Sequence, residues 1–146
     1  MTIRPGERAT DAPLPQDAAL AFIGTIRTPW ATRAECPRQG DLDGPECCLE
    51  LAPPWDAALA GIEAFQTLDV LYWLHEARRD LLPQRPHDGA LRGTFALRSP
   101  VRPNPIGLAR VRLVRRDGGT LVVRGLDCLD GTPLLDVKPD RCAHSR

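Results

Sequence analysis

The stretch Leu108-Ala-Arg-Val-Arg-Leu-Val-Arg115, with Thr120-Leu-Val-Val-Arg-Gly-Leu126 close behind it, decides the fold class. Ala109, Val111 and Leu113 fall on one face of an extended chain, and Arg110 and Arg112 fall on the other. That is the period-two pattern of a half-buried strand. Asp117-Gly118-Gly119 lies between the runs and suits a tight hairpin, because glycine reaches the positive φ that such turns require. The two runs are therefore expected as antiparallel neighbours in a sheet with one wet face.

Working outward, residues 20–27 carry Phe22, Ile23 and Ile26 and close on Thr28-Pro29, which reads as a strand. Residues 47–52 alternate apolar and polar. Residues 70–74 are continuously apolar, as in a strand buried on both faces. Residues 91–97 and 134–137 add two further strands. Pro53-Pro54 opens a short helix, with Trp55, Leu59 and Ile62 as its buried stripe. Residues 33–46 and 81–89 are rich in Pro and Gly and read as loops. The expected fold is mainly β: a single-sheeted barrel of about seven strands with one or two short helices. Residues 1–18 hold Pro5, Gly6, Pro13 and Pro15 with little to bury, and read as a flexible tail before one domain over 19–146.

The chain has 146 residues, 42% of them apolar and 26% charged, a globular rather than a disordered balance. At this length about two-thirds of the unfolded surface is buried on folding, so neither disulfides nor a structural metal are required. No apolar run approaches the ~18 residues of a membrane span, and residues 1–17 lack a signal peptide's apolar core. A cytoplasmic location with no membrane contact is the expectation. The five cysteines, Cys36, Cys47, Cys48, Cys128 and Cys142, form no C-x-x-C pair, and His75, His87 and His144 are scattered, so no metal site is expected.

Net charge is zero, but the charges are segregated. Residues 35–88 hold 11 acids and 4 bases, and residues 92–126 hold 8 arginines and only Asp117 as an acid. Either the arginine-rich half neutralises phosphates of a nucleic acid, or the two halves attract each other within one fold or across a dimer.

No phosphate-binding glycine loop, G-x-S-x-G or H-E-x-x-H motif is present. The unusual segment is Arg98-Ser-Pro-Val-Arg-Pro-Asn-Pro-Ile-Gly107. Its prolines fix their own φ and push Ser99, Arg102 and Asn104 toward extended conformations, making a stiff strap with few free N–H groups. Such a strap is either a preorganised polar wall for a ligand or a solvated edge connection. Asp130-Gly131-Thr132-Pro133 is either a plain turn or one whose amides cradle a polar ligand. His75-Glu76 ends an apolar strand, either solvated or at a barrel mouth.

These segments occur with Ile23-Gly-Thr-Ile-Arg-Thr-Pro29, Pro37-Arg38-Gln39 and Leu129-Asp-Gly-Thr-Pro-Leu-Leu-Asp-Val-Lys-Pro139 in an order seen in one family. From about residue 20 to 140 the chain resembles the TsaA-like (YaeB-like) tRNA methyltransferases. The resemblance implies a dimerising β-barrel that uses S-adenosylmethionine to methylate N6 of threonylcarbamoyladenosine in the anticodon loop of tRNA. It places cofactor contacts on Pro37, Arg38, Gln39, His75, Glu76, Arg98, Leu108, Asp130, Gly131, Thr132 and Pro133. Arg102, Asn104, Arg110 and Arg112 are the expected substrate contacts, and Asn104 and Asp136 are the candidates for accepting the substrate's proton. The chain resembles a short form without the C-terminal domain of longer members, and position 140 is Asp where an aromatic is common. A same-fold methyltransferase with a small acceptor, and a non-catalytic S-adenosylmethionine-binding protein, are the alternatives.

Overall fold

The hairpin read from alternation forms as expected. The computed structural model describes residues 2–141; Cys142 and His144 lie outside the described residues. Its strands are β1 (Gly24–Arg27), β2 (Cys47–Leu51), β3 (Thr67–Trp73), β4 (Pro83–Gln84), β5 (Arg92–Gly93), β6 (Ile106–Asp117), β7 (Thr120–Arg124) and β8 (Pro133–Pro139). β6 and β7 pair antiparallel, with Asp117 opposite Thr120, so Gly118-Gly119 is a two-residue turn and Gly118 has φ +62°. Ala109, Val111 and Leu113 are buried and Arg110 and Arg112 exposed, as the alternation requires.

Six strands close into a barrel in the order β1-β2-β7-β6-β3-β8. Facing residues make its interior: Ile26 lies opposite Leu49, Leu49 opposite Leu121, Cys47 opposite Val123, and Tyr72 opposite Leu134. The barrel belongs to a unit formed by Leu20–Trp73 and Gly107–Arg146. A second compact unit comprises Met1–Ala19 and Leu74–Ile106. It contains the β4–β5 ribbon and a small core of Leu81, Gln84, Thr94, Val101 and Pro105.

Four expectations need correction. β3 is not buried on both faces; it alternates, with Leu68, Val70 and Tyr72 inside and Thr67, Asp69, Leu71 and Trp73 half-buried. Residues 53–64 form two 3-10 turns, Trp55–Leu59 and Ile62–Ala64, interrupted by Gly61 at φ +89°. A left-handed residue ends a helical run, so the α-helical stripe cannot continue: Leu59 is buried but Trp55 is 44% exposed. Residues 91–97 are not one strand, because after Arg92–Gly93 the chain curls into the 3-10 turn Thr94–Ala96. Residues 81–89 are not a plain loop, since Leu81 and Gln84 are buried and Pro83–Gln84 is β4.

Within the second unit, residues 4–10 are tied to residues 80–85. The Leu82 amide donates to the Arg8 carbonyl, the Thr10 amide to the Asp80 carbonyl, and the Arg85 amide to the Glu7 carboxylate. These are backbone and charged bonds, which a search for apolar residues does not register.

Candidate functional site

Within the barrel unit, Pro37, Arg38 and Gln39 are exposed on the connection from β1 to β2. Two arginines hold the far side of that connection. Arg112 donates to the Leu42 carbonyl at 2.5 Å and to Asp43 at 2.6 Å, and Arg124 donates to the Gly44 carbonyl at 2.6 Å. The near side is fixed by Gly40, whose backbone lies against the Gly125 carbonyl so closely that a Cβ would stand 1.7 Å from the oxygen.

The turn at 130–133 is built from the backbone. The Asp130, Gly131 and Thr132 amides donate to the Trp30, Ile26 and Leu129 carbonyls. None of the three is left to cradle a ligand, so the amide-cradle reading is corrected. Gly131 has φ +84°, and the Thr132 hydroxyl donates to the Leu129 carbonyl at 2.6 Å, with Thr132 1% exposed. Thr132 therefore shapes the turn. Asp130 stays exposed; its Oδ1 accepts from the Thr28 amide at 3.0 Å.

Leu108 is half exposed on the outer face of β6, in line with Arg110 and Arg112. Arg110 is clamped by two carboxylates, Asp69 and Asp140, each at 3.2 Å. Asp140 is buried and also accepts from the Thr67 hydroxyl at 3.2 Å, so the departure from an aromatic at this position supplies a partner for Arg110. Arg115 pairs with Glu46 and Asp117, Arg116 with Glu63, and Arg124 with Glu46. Among the two explanations of the segregated charges, attraction within one fold is realised here. Arg110 and Arg112 are thus engaged by their own chain. Asp136 is half-buried on β8, with Oδ2 3.2 Å from the Lys138 ammonium.

Within the second unit, β3's continuation leads into a turn that leaves His75 and Glu76 exposed; the Ala77 amide donates to the Leu74 carbonyl across it. The strap is braced from inside. Arg102 donates to the Leu97 and Ser99 carbonyls, and Arg79 donates to the Pro103 carbonyl at 2.6 Å and to Asn104 Oδ1 at 3.5 Å. The buried Gln84 amide donates to the Val101 carbonyl at 2.7 Å and to the Thr94 hydroxyl at 2.8 Å. Thr94 in turn donates to the Leu81 and Leu82 carbonyls. Arg98 is exposed on this braced segment.

Among the described residues, the side chains of Arg38, His75, Glu76 and Arg98 make no hydrogen bond or ion pair. Three residues escaped the sequence reading. Phe95 is 82% exposed, held outward by the turn that anchors Thr94, and stands three residues before Arg98. Tyr72 and Asp127 bond to each other at 3.0 Å inside the barrel unit. An aromatic beside a polar motif was the available signal for Phe95; none marked the pair. The thiols of Cys47 and Cys128 are pushed up by burial to about 11 and about 12, so neither is a nucleophile at neutral pH.

Residues 25–141 match the family model described as the tRNA-methyltransferase O N-terminal domain. The chain is 55% identical over 140 residues to the "Probable S-adenosyl-L-methionine-binding protein VirR" of Rhizobium radiobacter, covering 95% of this chain and 80% of that one. It is 38% identical over 129 residues to the tRNA (adenine(37)-N6)-methyltransferase of Escherichia coli (strain K12), covering 80% of this chain and 55% of the other. A crystal structure of TrmO from Pseudomonas aeruginosa matches with a TM-score of 0.70 at 36% identity, over 84% of this chain and 55% of that one. The chain spans little more than half the length of these last two.

Proposed function

This chain belongs to the tRNA-methyltransferase O N-terminal-domain family, and on that premise we propose that it binds S-adenosylmethionine and methylates N6 of threonylcarbamoyladenosine in the anticodon loop of tRNA. One observation carries the cofactor half of this reading. Arg38, His75, Glu76 and Arg98 are exposed with no partner among the described residues, while the arginines of β6 and β7 are all engaged.

The donors within each unit are of types that suit the cofactor's groups. A free guanidinium, Arg38 or Arg98, suits the cofactor carboxylate through charge-assisted bonds. Glu76 and the Asp130 carboxylate suit its ammonium or ribose hydroxyls, and Leu108 offers an apolar surface to adenine. When bound, the cofactor supplies a methyl group already activated by its sulfonium. The protein's part is then to orient the acceptor nitrogen and exclude water. The Gln84–Thr94–Val101 bonds and the Arg102 brace keep the strap rigid for that task. Of the two candidates, Asp136, already beside Lys138, can receive the proton, and Asn104 can orient the acceptor nitrogen by accepting a hydrogen bond from its N–H.

A second reading, a small acceptor in place of tRNA, is favoured by the internal neutralisation of Arg110, Arg112, Arg115, Arg116 and Arg124. Under the tRNA reading, arginines without a partner among the described residues and not taken by the cofactor carboxylate, Arg33 among them, supply the attraction. Methylation should then fall steeply between about 50 and about 200 mM salt, by counterion release. Calorimetry with S-adenosylmethionine tests the cofactor assignment: saturable binding supports it and absence of heat refutes it. A homodimer is part of the proposal, and light scattering that reports a 16.0 kDa particle at low salt contradicts it.

A further inference from the structure

Arg4-Pro5-Gly6-Glu7 precedes the part of the chain that matches the family, which begins at residue 25, yet it is a built turn rather than a loose end. Proline stands second, glycine third at φ +85°, and the Glu7 amide donates back to the Arg4 carbonyl at 3.0 Å, which makes a type II turn. The Glu7 carboxylate closes it a second time, because Oε2 accepts from the Arg4 amide at 2.9 Å. The four residues therefore set the shape of the turn among themselves.

Its partner is Arg85, and the recognition runs both ways. The Arg85 amide donates to Glu7 Oε1 at 2.7 Å, Arg85 Nε donates to the Pro5 carbonyl at 2.8 Å, and Arg4 Nη1 donates to the Arg85 carbonyl at 2.5 Å. Gly6 lies against Leu91, where a Cβ would stand 3.1 Å from a methyl carbon. Ala9 then bridges Leu81 antiparallel, with the Leu82 amide on the Arg8 carbonyl and the Thr10 amide on the Asp80 carbonyl, each at 2.8 Å. Residues 8–10 thus lie along the chain that leads into β4.

From here a chain of bonds leads to the strap. Leu82 gives its amide to Arg8, and its carbonyl accepts the Thr94 amide at 2.7 Å and the Thr94 hydroxyl at 2.8 Å. The Thr94 carbonyl accepts the Leu97 amide at 3.2 Å, one residue before Arg98. Every member of that chain lies in one compact unit, with His75, Glu76 and Arg98. We propose that the N-terminal segment is a clasp, with Glu7 as its positioning residue, that holds the β4–β5 ribbon and, through Leu82 and Thr94, Arg98 in the arrangement that binds S-adenosylmethionine. The proposal rests on the cofactor reading above and deepens it with residues that precede the family-matched region. Glu7 suits the role because two backbone donors, Arg4 and Arg85, meet its two oxygens; the same bonds hold its carboxyl below the ordinary value, so it is ionised near pH 7.

The test uses the full chain and reads wild type, Glu7→Ala and Thr10→Pro by amide hydrogen exchange and by calorimetric titration of S-adenosylmethionine. Glu7→Ala removes both acceptor oxygens. Thr10→Pro removes the amide that donates to Asp80 and leaves the Glu7 bonds in place, and the extended chain at the Ala9 bridge suits the residue before a proline. In Glu7→Ala the Arg85 and Leu82 amides should exchange about tenfold faster, and cofactor affinity should fall about tenfold, as for a lost bond to a charged acceptor. In Thr10→Pro the Leu82 amide should loosen and affinity should fall in the same direction. The amides of β6 and β7 should keep their wild-type exchange in both. Wild-type binding that Glu7→Ala retains undiminished, with Leu82 and Arg85 loosened, makes the clasp a stabilising contact only and overturns its positioning role. Protection retained at Leu82 in both variants overturns the clasp itself. Absence of wild-type binding overturns the cofactor reading, and the positioning role with it.

Discussion

In the barrel unit, the buried strand positions are apolar and come in facing pairs, Ile26 with Leu49, Leu49 with Leu121, Cys47 with Val123, while the buried polar Thr132 and Asp140 lie just outside β8. In the second unit the buried positions Gln84 and Thr94 are polar, and they are held by hydrogen bonds to the Val101, Leu81 and Leu82 carbonyls. The charges follow only in part, since Arg38 of the barrel unit is also left without a partner among the described residues. Arginines of β6 and β7 are consumed by acids of the barrel unit, whereas Arg98 of the second unit is left without a partner among the described residues. Apolar burial and internal ion pairs make a scaffold. A polar knot and braced prolines make a rigid surface from which Arg98 stays available, while Arg78 and Arg92 pair with Asp80 and Asp88.

The comparison breaks most visibly at Gly40. Gly40→Ala drives a Cβ into a backbone carbonyl that cannot rotate away, and should cost about 3 kcal/mol. A loss of that size lowers the melting temperature by about 10 °C, read by calorimetric scanning. Arg98→Ala should do the reverse: unchanged melting, but S-adenosylmethionine affinity weaker by roughly thirtyfold, because a cation that contacts only ligand is removed. Unchanged affinity in that variant would remove Arg98 from the site.

Gln84→Leu should cost about 1–3 kcal/mol by leaving the Val101 carbonyl without its buried donor. Hydrogen exchange should show the loosening in residues 81–101 and not in the barrel strands. Arg110→Glu would set a third acid beside Asp69 and the buried Asp140 and lower the melting temperature. Arg112→Glu instead loosens the connection at Leu42 and Asp43. Neither substitution is a clean probe of RNA contact, and a loss of methylation in them must be read beside stability.

The smallest effect concerns pH. A carboxyl raised by burial stabilises the fold below its unfolded value, and that contribution is lost as pH rises through the folded value. The stability of wild type relative to Asp127→Asn should therefore be greater at about pH 4 than at about pH 8. Chemical denaturation at both pH values reads it, and a difference of the opposite sign contradicts burial as the dominant cause.

These regions were unequally legible in the sequence. The β6–β7 hairpin was plain because alternation and Asp117-Gly118-Gly119 act locally. β3 misled because Leu71 and Trp73 are apolar residues on the outer, half-buried face. The stripe through Trp55 failed because Gly61 adopts a left-handed conformation, which the spacing of apolar residues does not register. Gln84 and Thr94 as a core could not be read, since a polar pair becomes core only through partners that folding brings to it. For the proposed site, the motif pointed to Arg98, whereas the bonded pair Tyr72 and Asp127 lie 55 residues apart with no pattern joining them. The engagement of Arg110 by Asp69 and Asp140 was equally hidden, because net charge along the chain does not show which charges meet.

The account's central claim is tested most directly by incubating the full chain with S-adenosylmethionine carrying a labelled methyl group and tRNA bearing threonylcarbamoyladenosine, then identifying the labelled nucleoside by mass spectrometry. The account predicts one labelled methyl on N6 of that nucleoside, diminished in Arg98→Ala at equal cofactor concentration. Saturable cofactor binding with no label in tRNA at any salt concentration would contradict it.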